Sequence, residues 1–420
     1  MKFKITLLFL LTSLFGFSQN EAIGKSFINS LLIDKDIPKA YTFFDESVKS
    51  KIPQEQLIQM LPQLEAQLGK FKEVVETNNT EQTYFYYSAF DNMKLDIQVA
   101  FNENSKIIGF FFKPHQEFNK KVRLGKDLNI KSNTIELKGT LLVPEQNNLK
   151  KLVVFVHGSG SSDRDETIFE NKPFQDIAET LYKSGIASYR FDKRTFSNPE
   201  SFSEKSTIDD EVTNDVVAIV NYFKKDPTYS QYEIVVLGHS LGANMMPRIV
   251  NQSNNQIGKV ILMAGNSRPL ADLIVEQYDY INKMNPSPAM EVQVKKIKEQ
   301  VAFLNSRNLM VTSSKEKLPL NQSGYYWKSV LDYNPLEEVK KVKIPMLILQ
   351  GERDYQVTMK DFELWKNTLA GNKKVEFISY PKLNHLFISG ESISQPKEYM
   401  VKGTVDGKVI EDIAMFIEGK

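Results

Sequence analysis

Glu233–Met246 reads EIVVLGHSLGANMM. Its first half, from Ile234 to Leu237, is apolar at every position and rich in β-branched residues, the composition of a central strand covered on both faces. The chain from Ala243 to Val250 suits a helix. Gly238, His239, Ser240, Leu241 and Gly242 must therefore turn a buried strand into a helix. A serine at the apex of such a turn holds a strained backbone conformation, and small residues on either side let strand and helix close around it. Gly-x-Ser-x-Gly also occurs in turns that carry no chemistry. The motif gains meaning here from its strand-to-helix setting and from the partners the chain offers the hydroxyl.

A serine hydroxyl becomes a nucleophile when a base takes its proton. In sites of this kind the acid and then the histidine follow the serine along the chain. The chain has four histidines, His115, His157, His239 and His385, and only His385 comes after Ser240. It stands in ISYPKLNHLF, just beyond the last strand candidate, KVEFISY. For the acid, IPMLILQGERDYQV ends a buried strand at Gln350 and opens a loop with Gly351-Glu352-Arg353-Asp354. Open α/β sheets gather their functional groups at the carboxyl ends of strands. Asp354 is the expected partner of His385, with Glu352 in reserve.

Acyl transfer also develops an oxyanion that preorganised donors must meet. One donor is expected from the Leu241 N–H, directly after the serine at a helix start. The other is expected in HGSGSSDRDE, from Ser159 or Gly160. That glycine-containing turn lacks both the Lys-Ser/Thr ending of a phosphate loop and the Rossmann spacing.

Around this centre, IELKGTLLV, LVVFVHG, IASYRFD, EIVVLGH, KVILMAG, IPMLILQG and KVEFISYP read as strands separated mostly by helices, which predicts an α/β domain over residues 129–420 with a mostly parallel central sheet. Residues 20–115 differ. Apolar positions at helical spacing come first, Leu57, Met60, Leu61 and Leu64 among them, followed by the short aromatic strands FKEVVETNN, TYFYYSAFD, KLDIQVAFN and KIIGFFFKP. That order predicts a small α+β unit with an antiparallel sheet, and residues 116–128 read as a linker.

Residues 1–18 combine Lys2 and Lys4 with an apolar stretch from Ile5 to Phe17, the pattern of a secretory signal peptide cut after Ser18. The stretch is shorter than the roughly 20 residues a membrane span needs. A secreted or periplasmic protein without a stable membrane anchor is the expectation. Cysteine is absent, which removes disulfides, a thiol nucleophile and lipid attachment at a cysteine. Lys+Arg total 53 against Asp+Glu 52, so no net field favours nucleic acid. Four scattered histidines make a metal site unexpected, and no cofactor is implied.

Taken together, HGSG at His157–Gly160, RFDKR at Arg190–Arg194, GHSLG, AGNSRPL at Ala264–Leu270, GERD and Asn384-His385 resemble an α/β-hydrolase, from about Asn129 to the end of the chain. Within that superfamily the chain is most similar to bacterial esterases and serine aminopeptidase-like proteins. The resemblance implies Ser240 as nucleophile, Asp354 as acid, His385 as base, Ser159 and Leu241 as oxyanion donors, and His157 as a loop-ordering residue. After RFDKR the family often continues Gly-x-Gly-x-Ser, whereas Thr195-Phe196-Ser197-Asn198-Pro199 stands here. The front segment resembles a small NTF2-like domain of unknown function that often precedes secreted bacterial hydrolases, and a structural or partner-binding attachment is its expected role.

Residues 266–332 form a long insertion containing LADLIVEQYDYI and VQVKKIKEQVAFL, with Val294, Ile297, Val301 and Leu304 on one stripe. In this fold an insertion there implies a helical lid, its two helices separated at Pro286 and Pro288 by a mobile joint. An apolar ceiling suits a small-molecule ester of short or medium acyl chain, acetylated carbohydrate included. The alternative is a serine peptidase with the same triad, which needs an anion for the substrate amine, and Glu276 and Asp279 are candidates. A binding protein without catalysis fits less well, since every triad position is filled.

Overall fold

The computed structural model describes residues 20–80, 82–115 and 124–420. The expected signal segment, 1–18, and most of the expected linker lie outside the described residues. Two compact units divide the chain, the first ending at Val122 and the second beginning at Arg123.

In the first unit the helices Ile37–Thr42, Glu46–Lys49 and Gln54–Leu68 precede an antiparallel meander of β1 (Phe71–Thr80), β2 (Thr83–Phe90), β3 (Lys94–Phe101) and β4 (Ile107–Lys113). Tyr84 and Tyr86 point to the same side of β2, as a period of two requires, and meet Phe27, Phe44, Leu57 and Phe101 in a common core. This is the small α+β unit expected.

The second unit is built on β5 (Lys126–Asp127), β6 (Ile130–Ser132), β7 (Ile135–Leu137), β8 (Gly139–Leu142), β9 (Lys151–Val156), β10 (Ala187–Phe191), β11 (Glu233–His239), β12 (Lys259–Met263), β13 (Met346–Gly351) and β14 (Val375–Tyr380). Eight of these form one sheet in the order β14-β13-β12-β11-β9-β10-β8-β5. Pairing is parallel from β14 to β10 and antiparallel at β8 and β5. Two expectations change. Lys126 and Asp127, placed in the 116–128 linker, pair with Leu141 and Thr140 at the sheet edge. A polar two-residue edge strand carries no periodicity for a sequence pattern to register. IELKGTLLV splits in two, because the Lys138 carbonyl leaves the β6–β7 ribbon to accept from the Asp192 N–H at 2.8 Å.

The central strands bury both faces. On β9, Leu152, Val154 and Val156 join one core, while Val153 and Phe155 join the other. β11, β12 and β13 alternate in the same way. The helices Pro173–Lys183 and Gly407–Glu418 cover one face, and Asn214–Lys225 and Met359–Thr368 supply Val216, Ile219, Phe362 and Trp365 to the other. A sheet sandwiched in this way leaves only the ends of its strands open to carry chemistry.

Candidate active site

β11 ends at His239, and the helix Leu241–Asn244 begins two residues later. Between them Ser240 has φ 51° and ψ −115°, a region that non-glycine residues rarely occupy. The tightness of the turn explains both glycines. A Cβ on Gly238 would stand 2.5 Å from the Gly242 backbone, and one on Gly242 would stand 2.3 Å from the Val156 carbonyl oxygen. The strained conformation is pinned by the Ser240 N–H, which donates to the Met263 carbonyl at 2.9 Å, and by the Asn244 N–H, which donates to the Ser240 carbonyl at 2.9 Å.

Asp354 lies three residues past β13 and is buried. Its Oδ2 meets His385 Nδ1 at 2.6 Å, and its Oδ1 accepts from the N–H groups of Gln356 at 2.7 Å and Val357 at 3.1 Å. A carboxylate satisfied from its own loop cannot swing away from the imidazole. Arg353 fixes that loop to the segment beyond His385, donating to the Glu398 carboxylate at 2.8 Å and to the Glu391 carbonyl at 2.6 Å. The reserve acid, Glu352, points elsewhere and accepts from Ser379 Oγ at 2.8 Å. His385 packs against His239, the neighbour of Ser240, with ring centroids 4.6 Å apart. Among the described residues no hydrogen bond joins Ser240 Oγ to His385, and such contacts commonly tighten only when substrate binds.

On the opposite side of the serine, a Cβ added to Gly158 would come within 3.2 Å of the Ser240 Cβ. Ser159 and Gly160 follow on the exposed surface, Gly160 with φ 88°. The Gly158 N–H is committed to Glu166 Oε1 at 2.6 Å, which leaves the amides of Ser159 and Gly160 as the candidates in this turn.

The family described as "Serine aminopeptidase, S33" matches residues 147–392, more than half of the chain. The chain belongs to this α/β-hydrolase family. Residues 26–110 match "Protein of unknown function (DUF3887)", the NTF2-like type expected for the first unit. Among curated relatives, Esterase EstD of Thermotoga maritima is 31% identical over 429 residues, which covers 98% of this chain and 98% of that protein. The acylamino-acid-releasing enzyme of Rattus norvegicus is 33% identical over 69 residues, 16% of this chain and 9% of that one. Of solved structures, Est1E from Butyrivibrio proteoclasticus with ferulic acid bound is 19% identical, with a TM-score of 0.46, covering 70% of this chain and 98% of that one. The family match and the full-length relative make the protein an esterase-like serine hydrolase.

Three groups that bear on the α/β-hydrolase site were not singled out from the sequence. Glu166 is buried, and its Oε2 stands 3.0 Å from His239 Nδ1, off the axis of a straight hydrogen bond. The other ring nitrogen of His239 faces the His385 carbonyl oxygen at 2.9 Å. Both neighbours are acceptors, an arrangement suited to a doubly protonated ring. Burial alone would lower the His239 pKa and raise that of Glu166, but their ion pair prevails and moves each the other way. The third group, Lys193, donates to Glu211 at 2.5 Å and to the Gly158 carbonyl at 2.7 Å. His157 was expected as a loop-ordering residue. It is buried between Phe174 and Phe191, and desolvation pushes its pKa down to about 4. Glu166, His239 and Lys193 stand inside quoted motifs but were given no role there, since long-range pairs such as Glu166–His239 leave no periodic trace.

The insertion supplies the helices Leu270–Met284 and Pro288–Leu304. Pro288 begins the second helix, whose N-cap Ser287 accepts from the Met290 N–H at 3.2 Å. Ile297, Val301 and Leu304 are buried in the main core, and Val294 is buried outside it. Lifting that helix would expose four side chains at about 1.5–3 kcal/mol each, so it is seated firmly. A cavity of about 350 Å³ runs beside the helix that follows Ser240, between Leu241 and Asn244 on one side and Leu270, Ala271, Trp327 and Leu331 on the other. None of Ser240, Asp354 and His385 lines it. The candidate amine anchors are already paired: Glu276 with Arg268 at 2.6 Å and Lys360 at 2.8 Å, and Asp279 with Lys298 at 2.8 Å.

Proposed function

We propose that the protein is a secreted carboxylesterase that cleaves esters of short or medium acyl chains, acetylated carbohydrate among them, through Ser240, His385 and Asp354. The observation that carries this reading is the pairing of a strained strand-to-helix serine with a buried histidine–aspartate hydrogen bond of 2.6 Å supplied by the two expected loops. Ser240 Oγ attacks the ester carbonyl as His385 Nε2 takes its proton, and Asp354 holds the Nδ1–H and stabilises the imidazolium. The tetrahedral oxyanion is met by the N–H groups of Ser159 and Leu241. Its collapse expels the alcohol, which takes the proton from His385, and leaves an acyl-serine. Water, deprotonated by His385, attacks that ester and releases the acid and the serine.

An ester is favoured over a peptide because Glu276 and Asp279 are neutralised by cations and offer no free anion to a substrate amine. The esterase name carried by the full-length relative supports the same choice. Export is supported by the leader pattern in residues 1–18, and the mature chain is then expected to begin at Gln19 on amino-terminal sequencing. The deciding experiment compares p-nitrophenyl esters, acetylated sugars and aminoacyl anilides on the parent and on Ser240→Ala. Ester turnover that disappears in the variant, with little anilide turnover in the parent, is the expected result. Anilides turned over faster than esters would replace the esterase reading by the peptidase one.

A further inference from the structure

One buried cation contacts the site without facing substrate. Lys193 follows β10 in RFDKR and is 2% exposed. Its ammonium spans two acceptors, Glu211 Oε1 at 2.5 Å and the Gly158 carbonyl oxygen at 2.7 Å. Glu211 is equally enclosed, on the π-helical turn Asp209–Thr213, and its second oxygen accepts from the Tyr326 hydroxyl at 2.7 Å. Tyr326 belongs to the helix Gly324–Leu331, inside the long insertion. Burial, reinforced by Glu211, holds the phenol pKa well above its usual value, so it remains a donor.

The Gly158 carbonyl and the Ser159 N–H belong to one peptide unit. Such a unit is planar, and no cis bond occurs among the described residues, so the carbonyl and the N–H point in opposite directions. Gripping the carbonyl therefore aims the amide. The preceding peptide unit is gripped as well, its Gly158 N–H donating to Glu166 at 2.6 Å, so the Gly158–Ser159 plane adjoins a neighbour that is itself held. Oxyanion stabilisation depends on donors that need no reorganisation as charge develops.

We propose that Lys193 is a positioning residue for ester hydrolysis: held by Glu211 and Tyr326, it locks the Gly158–Ser159 peptide so that the Ser159 N–H faces the developing oxyanion. The inference rests on the triad and on Ser159 as a donor, as given under the proposed function. It adds a specific link between the insertion and the chemistry, running from the Tyr326 hydroxyl through Glu211 and Lys193 to the Gly158 carbonyl.

The test is Lys193→Met combined with Glu211→Gln, which removes both charges together and leaves no lone buried ion. Turnover of p-nitrophenyl acetate is compared with the parent, with thermal unfolding as the check on folding. An oxyanion donor acts in the transition state, so kcat is expected to fall about 10- to 100-fold while KM stays within about twofold, somewhat less than the loss of a whole donor. A parent-like kcat, or a loss that falls on KM alone, overturns the proposal. Should the double variant lose cooperative unfolding, Tyr326→Phe is read in its place, since it removes one hydrogen bond and no charge. A fall in kcat of about threefold or more at constant KM then supports the link, and an unchanged kcat overturns it. Ser240→Ala separates the two levels of the reading. Turnover surviving in Ser240→Ala defeats the underlying site assignment, whereas turnover lost there and intact in the Lys193 variants defeats the positioning role alone.

Discussion

Two histidine–carboxylate pairs lie side by side at the carboxyl end of the sheet, and their ring centroids are only 4.6 Å apart. In one, His385 gives Nδ1 to Asp354 at 2.6 Å, while no protein partner occupies its Nε2 among the described residues. In the other, His239 has Glu166 at 3.0 Å on one nitrogen and the His385 carbonyl at 2.9 Å on the other. An imidazole with a vacant nitrogen can take and return a proton, and one held at both nitrogens can only hold its neighbours in place. Equivalent chemistry thus divides into a proposed base and a brace, and the division is set by what stands at the second nitrogen. The brace lies behind the base, since His239 grips the backbone of the very residue that carries the base.

The largest expected effects fall on the first pair. Ser240→Ala and His385→Ala are each expected to lower kcat for p-nitrophenyl ester hydrolysis by about 10⁴-fold or more while the fold is kept, because triad members act as a unit. Near-parental turnover in His385→Ala would erase the distinction between base and brace. Glu166→Gln should act mainly on stability. Removing one partner of a buried ion pair leaves the other charge uncompensated, at about 3–5 kcal/mol, and chemical denaturation would measure it.

The same variant tests the pH dependence. Glu166 is held below its usual carboxylate value and His239 above its usual imidazole value. The contribution of the pair is then complete between about pH 4.3 and 6.5. It declines as pH falls through the lowered pKa of Glu166 or rises through the raised pKa of His239. His157 has the opposite sign to His239, since its pKa is pushed down to about 4 and it is buried neutral. As pH falls below about 6.5 the unfolded chain takes up a proton that the folded one refuses, a loss that approaches about 3 kcal/mol near pH 4. His157→Phe is expected to flatten the acid side of the stability curve, whereas Glu166→Gln flattens the alkaline side. Identical curves for the two variants would show that the histidines do not differ in this way.

The His385–Asp354 pairing was legible in the sequence, and the brace was not. Asp354 follows a strand whose apolar run announces itself, His385 follows the last strand candidate, and the order serine, acid, histidine narrows the candidates to one base. Ser240 is legible because its glycines are forced by clashes as short as 2.3 Å, so the motif records local geometry. Glu166, Lys193 and Glu211 lie in loops or at a helix start, 73, 35 and 115 residues from their partners His239, Gly158 and Tyr326. A contact between residues so far apart is created by the packed sheet and has no local signature. The α/β alternation was legible for the same reason as the base, while the two-residue edge strand Lys126–Asp127 was too short and too polar to register.

The smallest expected effect belongs to a third pair, in the first unit. His115 Nδ1 meets the buried Asp96 at 3.0 Å, and the ring stacks on Tyr87 at 3.6 Å. By composition this pair resembles the base, since it too is a histidine on a carboxylate. It lies in the other compact unit, and the family match that carries the hydrolase motifs begins at residue 147. His115→Gln is therefore expected to leave kcat/KM for p-nitrophenyl esters within about twofold, as for substitutions away from a reacting centre. A chain beginning at Phe118 should likewise keep its labelling by a fluorophosphonate at Ser240. If that shortened chain folds and yet fails to label, the first unit takes part in the site, and a histidine–carboxylate pair outside the sheet must be counted with the two inside it.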